Sequence, residues 1–234
     1  MPESTASSPA SSGDGGEADF ELPANFTDTY FFPAFGQLQS EYHVGQPIYE
    51  DGETWCLLAE IDAASTSAGN PFCMVCHDRH GDNFIIGFDL SKGLRFAPSQ
   101  FKIGYTIAVV YAKRHNFLDN TKGIRVADLA TCHAFPFKLD ELLGVSKRLC
   151  DYWDTLDEDG RTKRCYACGK EARKLEECGS CSFFFYCNED CRKVGWEEKK
   201  HKMDCQVLKD RNMKALLGIS SRDTMEETRF EFPG

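Results

Sequence analysis

The chain has 234 residues, 41% of them hydrophobic, with 12 cysteines and a formal net charge of −10 from 27 Lys and Arg against 37 Asp and Glu. That length holds one moderate domain and a small module, and the acid excess argues against a general polyanion binder. No stretch approaches the ~20 apolar residues of a membrane-spanning helix, and the opening Met1-Pro2-Glu3-Ser4 carries no apolar leader, so the sequence predicts an intracellular protein, nuclear or cytoplasmic and not membrane-bound, whose thiols stay reduced.

Residues 1–24 hold Glu3, Asp14, Glu17, Asp19 and Glu21 and no Lys or Arg, among Ser, Ala, Gly and Pro. So little apolar surface predicts a disordered acidic tail. From 25 to 155 short apolar runs alternate with turns, and strands are predicted at 54–61, 71–78, 83–88, 106–112 and 123–128. Arg79-His80-Gly81-Asp82 reads as a hairpin turn, 116–122 as a longer one, and 90–103 as a connecting segment. Leu139-Asp140-Glu141-Leu142-Leu143 predicts a short helix ended by Gly144. Five strands and two hairpins suit a small Greek-key barrel of the oligonucleotide/oligosaccharide-binding (OB) type, with a sandwich as the alternative. The fold class is therefore α+β, a mostly-β, OB-like domain followed by a zinc module. Residues 25–155 hold 16 Asp plus Glu against 11 Lys plus Arg, with one local basic cluster at Lys113-Arg114-His115. The basic groove of a single-strand binder is missing, and nucleic acid is not expected as a partner.

Two constellations inside the β unit have a chemical reading. Cys73-Met-Val-Cys76-His77 matches the c-type haem attachment pattern, but strand alternation sends Cys73 and Cys76 to opposite faces. His80 and Asp82 with His133 supply the two histidines and one carboxylate of a non-haem iron oxygenase. This is the alternative function, weighed against a plain hairpin turn at His80-Gly81-Asp82.

After a linker at 156–164 come four close pairs, Cys165-x2-Cys168, Cys178-x2-Cys181, Cys187-x3-Cys191 and His201-x3-Cys205. Eight ligands of this kind make two closed tetrahedral zinc sites, so Zn2+, two per chain, is the expected cofactor. Each C-x2-C pair forms a knuckle that aims two thiolates at one ion, and Gly169 supplies the turn after the first. Cys187/Cys191 and His201/Cys205 are spaced i, i+4, which places each pair on one face of a helical turn. Asn188-Glu189-Asp190 predicts a helix start just after Cys187.

The ligand order, the run Phe183-Phe184-Phe185-Tyr186, Cys191-x4-Trp196 and His201-Lys202-x2-Cys205 resemble the MYND zinc finger family over 165–205. The resemblance implies a cross-braced fold in which Cys165, Cys168, Cys187 and Cys191 hold one zinc and Cys178, Cys181, His201 and Cys205 the other. It implies a non-enzymatic adaptor that binds proteins carrying proline-containing motifs, of the Pro-x-Leu-x-Pro sort, against a hairpin edge and a helix, in a setting of transcriptional regulation. In this chain the peptide-binding positions are Phe184, Tyr186, Arg192 and Trp196. Phe184 and Tyr186 alternate with Phe183 and Phe185, so one pair is expected inside and the other outside. Two departures from the family stand out: nine residues separate Cys191 from His201 where seven are commoner, and Arg192 stands where glutamine is frequent. The β unit resembles, more loosely, the domain that accompanies MYND fingers in uncharacterised fungal proteins, through stretches such as Phe101-Lys102-Ile103-Gly104-Tyr105 and Gly123-Ile124-Arg125-Val126. A MYND-containing lysine methyltransferase needs a large catalytic domain around the finger, and 29 residues follow Cys205. Residues 206–217 predict one helix ended by Gly218, before a tail through 234 that carries Phe230 and Phe232.

Overall fold

Alternating apolar side chains build a seven-stranded sheet from β1 (Cys56–Ser65), β2 (Cys73–His77), β3 (Asn83–Phe88), β4 (Thr106–Val110), β5 (Arg114–Asn116), β6 (Lys122–Val126) and β7 (Cys132–Phe135). The computed structural model describes residues 22–65, 72–89, 97–156, 162–220 and 229–233. The acidic tail over 1–21, residues 90–96 of the connecting segment and 157–161 of the linker lie outside them. The strand order is β5-β6-β3-β2-β1-β4-β7, and every pair is antiparallel except β3 with β6. Tyr111, with φ of 59°, opens the bend between β4 and β5. Pairing that runs β1, β2, β3, β6, β5 is thus joined by a short covalent link to β4, which pairs back onto β1. The predicted strands are present with shifted ends, while β5 and β7 are too short for periodicity to reveal.

Both faces of β1 and β4 are buried. Leu57, Ala59, Ile61, Ile107 and Val109 point into one core with Met74 and Ile86, where Tyr49 stacks on Trp55 at 4.0 Å. Cys56, Leu58, Ala108 and Val110 point into a second core that continues, without a polar break, into the cysteine-rich region. The helix α1 (Leu139–Trp153) packs within this second core. It does not stop at Gly144. Leu142, Val145, Leu149 and Tyr152 form a buried stripe, and burial of that stripe outweighs the ~1 kcal/mol that an interior glycine costs a helix. Carboxylates satisfy its first turn: Glu60 Oε2 accepts the Leu139 N–H at 3.0 Å and Glu141 Oε2 that of Lys138 at 3.0 Å.

Residues 22–55 hold no strand within one of the named sheets, yet they are packed. Ala24 donates its N–H to the Leu217 carbonyl at 2.7 Å, and Phe26 donates to Ser146 Oγ at 2.9 Å. Phe26 and Phe32 enter the second core, whereas Phe35, Leu38 and Tyr49 enter the first. At the other end the single helix expected over 206–217 is two. The first, α3 (His201–Leu208), stops before Asp210, whose side chain accepts the Met213 N–H at 3.0 Å and starts α4 (Arg211–Leu217). Phe230 is buried in the second core, and Phe232 donates its N–H to the Ala130 carbonyl at 2.8 Å. Among the described residues no helix is long and apolar enough to cross a membrane.

A shared core predicts shared unfolding. Leu149→Ala, which opens a cavity between α1 and its neighbours, is expected to cost about 3 kcal/mol. In denaturant titration, the midpoint read by far-ultraviolet dichroism and that read by zinc release should fall together; separate transitions would show two independently folding units.

Candidate metal centre

Two knuckles carry the first ligand of each site. The turn at Cys165-x2-Cys168 ends on Gly169, with φ of 75° and its N–H bonded to the Cys165 carbonyl at 2.9 Å. It is flanked by β8 (Lys163–Arg164) and β9 (Glu171–Ala172). The turn at Cys178-x2-Cys181 repeats this geometry with Ser182, φ 66°, bonded to the Cys178 carbonyl at 2.8 Å, between β10 (Glu176–Glu177) and β11 (Phe185–Tyr186). Burial raises the Cys165 thiol, but the N–H groups of Cys168, Cys187 and Ala167 outweigh it and bring it below the ordinary thiol range. The amides of Cys181 and Ser180 do the same for Cys178. The first cysteine of each knuckle therefore favours the thiolate, the form that binds metal, whereas burial pushes the Cys181 thiol up.

Helix α2 (Glu189–Glu197) begins at Asn188, whose Oδ1 accepts the Cys191 N–H at 3.0 Å. Cys187 precedes that helix rather than sharing a helical face with Cys191, because Asn188 is extended at the cap. His201 and Cys205 do share one face, on α3. The long Cys191 to His201 gap is taken up between the helices, where Lys200 adopts a left-handed φ of 61°.

The chain brings the eight ligands together as two interleaved groups. Cys165, Cys168, Cys187 and Cys191 form one, Cys178, Cys181, His201 and Cys205 the other, with ligand atoms in each group all within 4.8 Å of one another. Sulfur separations are 3.6 Å for Cys168 and Cys187 and 3.8 Å for Cys178 and Cys205. A tetrahedron with ~2.3 Å Zn–S bonds has sulfur–sulfur edges of ~3.8 Å, so both groups fit zinc. Four protein ligands leave no open position, and closed sites of this kind hold a fold together instead of activating water.

The second group is wholly buried. His201 Nε2 lies 3.4 Å from Cys181 Sγ and Nδ1 lies 2.5 Å from Tyr186 Oη. Burial pulls the imidazole down to about 4 against the opposing pull of Asp204, which leaves it neutral at pH 7 and able to ligate through Nε2 while Nδ1–H donates to Tyr186. Asp204, buried on the same helix, receives Arg148 of α1 at two points, Nη2 to Oδ1 at 2.5 Å and Nε to Oδ2 at 3.2 Å.

The aromatic run corrects one expectation. Phe184 and Tyr186 are 0% and 1% exposed, so neither side chain lines a groove, and Phe185 is buried with them. Tyr186 orients His201, and the Phe184 ring sits 4.8 Å from it. The other face of the run is covered as well, by α1: Tyr152 Oη accepts the Phe185 N–H at 3.3 Å, and Trp153 Nε1 donates to the Phe183 carbonyl at 3.0 Å. Gly195 escaped the sequence reading. A Cβ there would stand 2.5 Å from Tyr186 Cε1, and a glycine inside α2 was the available signal of such close packing. Arg192 and Trp196 do open onto the surface. With Ser180, Glu189, Lys193 and Glu197 they line a groove of about 390 Å³, where Trp196 is 39% exposed and stands edge-on to His201 at 5.6 Å.

The iron triad is not assembled. His80 and Asp82 sit with Asp78 in the β2–β3 turn, and Asp78 is a turn-forming carboxylate that accepts the N–H groups of His80, Asp82 and Phe35. His133 lies on β7, with Nε2 at 3.3 Å from Asn212 Nδ2 and its ring against Phe135 and Phe232. The haem-like pattern is strand β2, with Cys76 inward and Cys73 outward.

Comparison with known proteins bears on the same region. Residues 165–205 match the family described as the MYND finger. Histone-lysine N-methyltransferase SMYD1 of Homo sapiens is 40% identical over 45 residues, 19% of this chain and 9% of that protein. N-lysine methyltransferase SMYD2-A of Xenopus laevis is 35% identical over 72 residues, 31% of this chain and 16% of its own length. The chain thus spans less than a fifth of these relatives. A chain from the crystal structure of the S. pombe Stn1-ten1 complex overlays on 41% of this one, and 76% of its own length, at 12% identity with a TM-score of 0.27. Residues 165–205 are a MYND zinc finger, a protein-interaction module with two cysteine-rich metal sites.

Tyr186→Phe removes the acceptor for the His201 Nδ1–H and leaves the packing in place. Loss of such an outer partner typically costs about 10–100-fold in metal affinity, so competition with a chromophoric chelator should strip one zinc early and leave the four-cysteine site unchanged.

Proposed function

We propose that the protein is a non-enzymatic intracellular adaptor, nuclear or cytoplasmic, whose finger binds short proline-containing peptides of partner proteins. The observation that carries this reading is the pairing of Arg192 and Trp196, four residues apart on α2, in one groove beside a hairpin whose outer strand β10 pairs with nothing but β11 among the described residues. An indole face suits proline rings, and a proline-rich segment docks with little entropy left to lose. The edge of β10 offers unpaired backbone groups to an extended ligand. Arg192 is held by Glu189 at 2.5 Å, which fixes the guanidinium at the groove wall. Transcriptional regulation is the process that the finger's family implies.

The β unit is read as a barrel of the OB type, on the ground that β5 and β4 link the pairing circuit back to β1. Its role in this reading is to carry the finger. Lys113 is exposed, but His115 is tied to Glu41 at 2.7 Å and Arg125 to the same carboxylate at 3.5 Å. The Arg125 charge near the local basic cluster is thereby partly neutralised, which weighs against a polyanion surface there.

The test is binding of a fluorescein-labelled Pro-x-Leu-x-Pro peptide to the zinc-loaded protein by anisotropy. Trp196→Ala should cost about 2 kcal/mol or more, the size of an aromatic hot spot, while both zinc ions are retained. Unchanged affinity in a variant with full zinc content would remove the groove from the binding site.

A further inference from the structure

The segment 229–233 returns to the β unit as an extended piece, exposed at Arg229, Glu231 and Pro233, buried at Phe230 and half-buried at Phe232. That alternation is the side-chain period of an extended chain, yet among the described residues the segment joins no sheet. It is held as a short peptide is held on a receptor. Phe230 donates its N–H to Tyr111 Oη at 2.7 Å, and Phe232 donates its own to the Ala130 carbonyl at 2.8 Å. The Phe230 ring is enclosed in the second core, and the Phe232 ring lies 5.5 Å from that of His133 and 6.2 Å from that of Phe135. The Arg229 guanidinium stands over the Tyr111 ring at 5.0 Å and reaches Asp128 at 3.8 Å. We propose that this seat is a recognition site for extended peptides of the pattern Arg-aromatic-x-aromatic, and that residues 229–233 are a copy of that ligand built into the chain, which holds the site against partner proteins presenting the same pattern.

The receptor side is shaped by contacts that do not involve the segment. Asp128 accepts the Ala130 N–H at 3.0 Å and its carbonyl accepts the Thr131 hydroxyl at 2.8 Å, which fixes the turn that offers the Ala130 carbonyl. His133 is placed by the pairing of β7 with β4 and lies 3.3 Å from Asn212. Tyr111 carries the strongest signal. It is a bulky residue at a φ of 59°, a left-handed position that glycine or asparagine occupies at less cost. Strain of this kind is kept at ligand clamps, and the Tyr111 side chain is placed as one. Its ring stands edge-on to Trp55 at 5.4 Å, while its hydroxyl and ring take up the Phe230 N–H and the Arg229 cation.

Each position of the pattern has a physical basis. A cation between a tyrosine ring and a carboxylate is best supplied by the planar guanidinium of arginine. The enclosed slot of Phe230 suits an aromatic anchor. Phe232 packs edge-on to Phe230 at 5.1 Å and beside His133, which again selects a ring. Glu231 is exposed, so its position is free to vary. The built-in copy follows helix α4 through residues 221–228, and a tether this short sets a local concentration on the order of millimolar. A partner at micromolar concentration therefore gains the seat only where it binds more tightly than the bare motif.

The test uses the zinc-loaded full chain and the fluorescein-labelled peptide Thr-Arg-Phe-Glu-Phe-Pro-Gly, read by anisotropy. Phe230→Ala vacates the slot, and Phe232→Ala loosens the built-in copy with less damage to the core. Both variants should bind the peptide at least about tenfold more tightly than the wild type, whose seat is filled. Alanine for the first Phe of the peptide should abolish that binding, alanine for Arg should weaken it about threefold, and alanine for Glu should leave it unchanged. If the variants keep two zinc ions and native far-ultraviolet dichroism but bind no peptide, the segment is an ordinary part of the core and the proposal is overturned. Loss of native structure in both variants overturns it too. A wild-type chain that is dimeric by light scattering, and monomeric as Phe230→Ala, would seat the segment on a second copy and end the partner reading. The seat shares no residue with the groove of Arg192 and Trp196, so its failure leaves the reading of the finger untouched.

Discussion

The bidentate contact between Arg148 and Asp204 is the constraint on which the molecule's organisation turns. Asp204 sits on α3 about one turn after one metal ligand, His201, and directly before another, Cys205, fully buried. Three thiolates, a neutral imidazole and a zinc dication already carry a net charge of −1, and a buried carboxylate beside them adds a second. A guanidinium offsets that charge with two hydrogen bonds. Burying such a pair costs much of what its attraction returns, so its main effect is positional: it sets where α3, and with it the second zinc site, docks on α1. Because α1 also packs on Cys56 and Leu58 of β1, the free energy of zinc binding is shared with the β unit and not confined to the finger.

The same buried region sorts the aromatic residues into two jobs. Phe184, Phe185 and Tyr186 lie between the metal sites and α1, where they hold ligands in place and exclude water. Tyr186 requires a smooth patch on α2, and Gly195 provides it. With the side chains of β11 committed inward, the open surface of the finger includes the outer side of α2, where Trp196 and Arg192 stand, and the edge of β10.

Much of the metal chemistry was legible in the residues themselves. Ligand type and close spacing point to zinc because thiolates and imidazole are the donors it prefers, and two C-x2-C pairs need only a local turn to converge. The strand at 83–88 was equally legible, since alternation of Phe84, Ile86 and Phe88 is a local property of the backbone. What escaped was whatever depended on a distant partner. Gly144 reads as a helix stop until the stripe around it is buried by the sheet. His80, Asp82 and His133 read as a triad until β2–β3 and β7 are placed apart. Residues 22–55 show no period, yet Phe26, Phe32 and Phe35 find slots on two different cores.

By itself the sequence determined the identity of the eight ligands, the number of metal sites and the presence of an α+β chain with a β-rich body, since each follows from local spacing and side-chain chemistry. Tertiary structure decided how the aromatic run is covered: Phe184, Phe185 and Tyr186 are buried, and α1 leaves Phe183, on the side that alternation turns outward, half-buried. It also decided that body and finger are one packed unit, through a contact between residues 56 positions apart in the chain. A hydrophobic period reports which side of an element avoids water; it carries no information about which other element arrives to exclude that water.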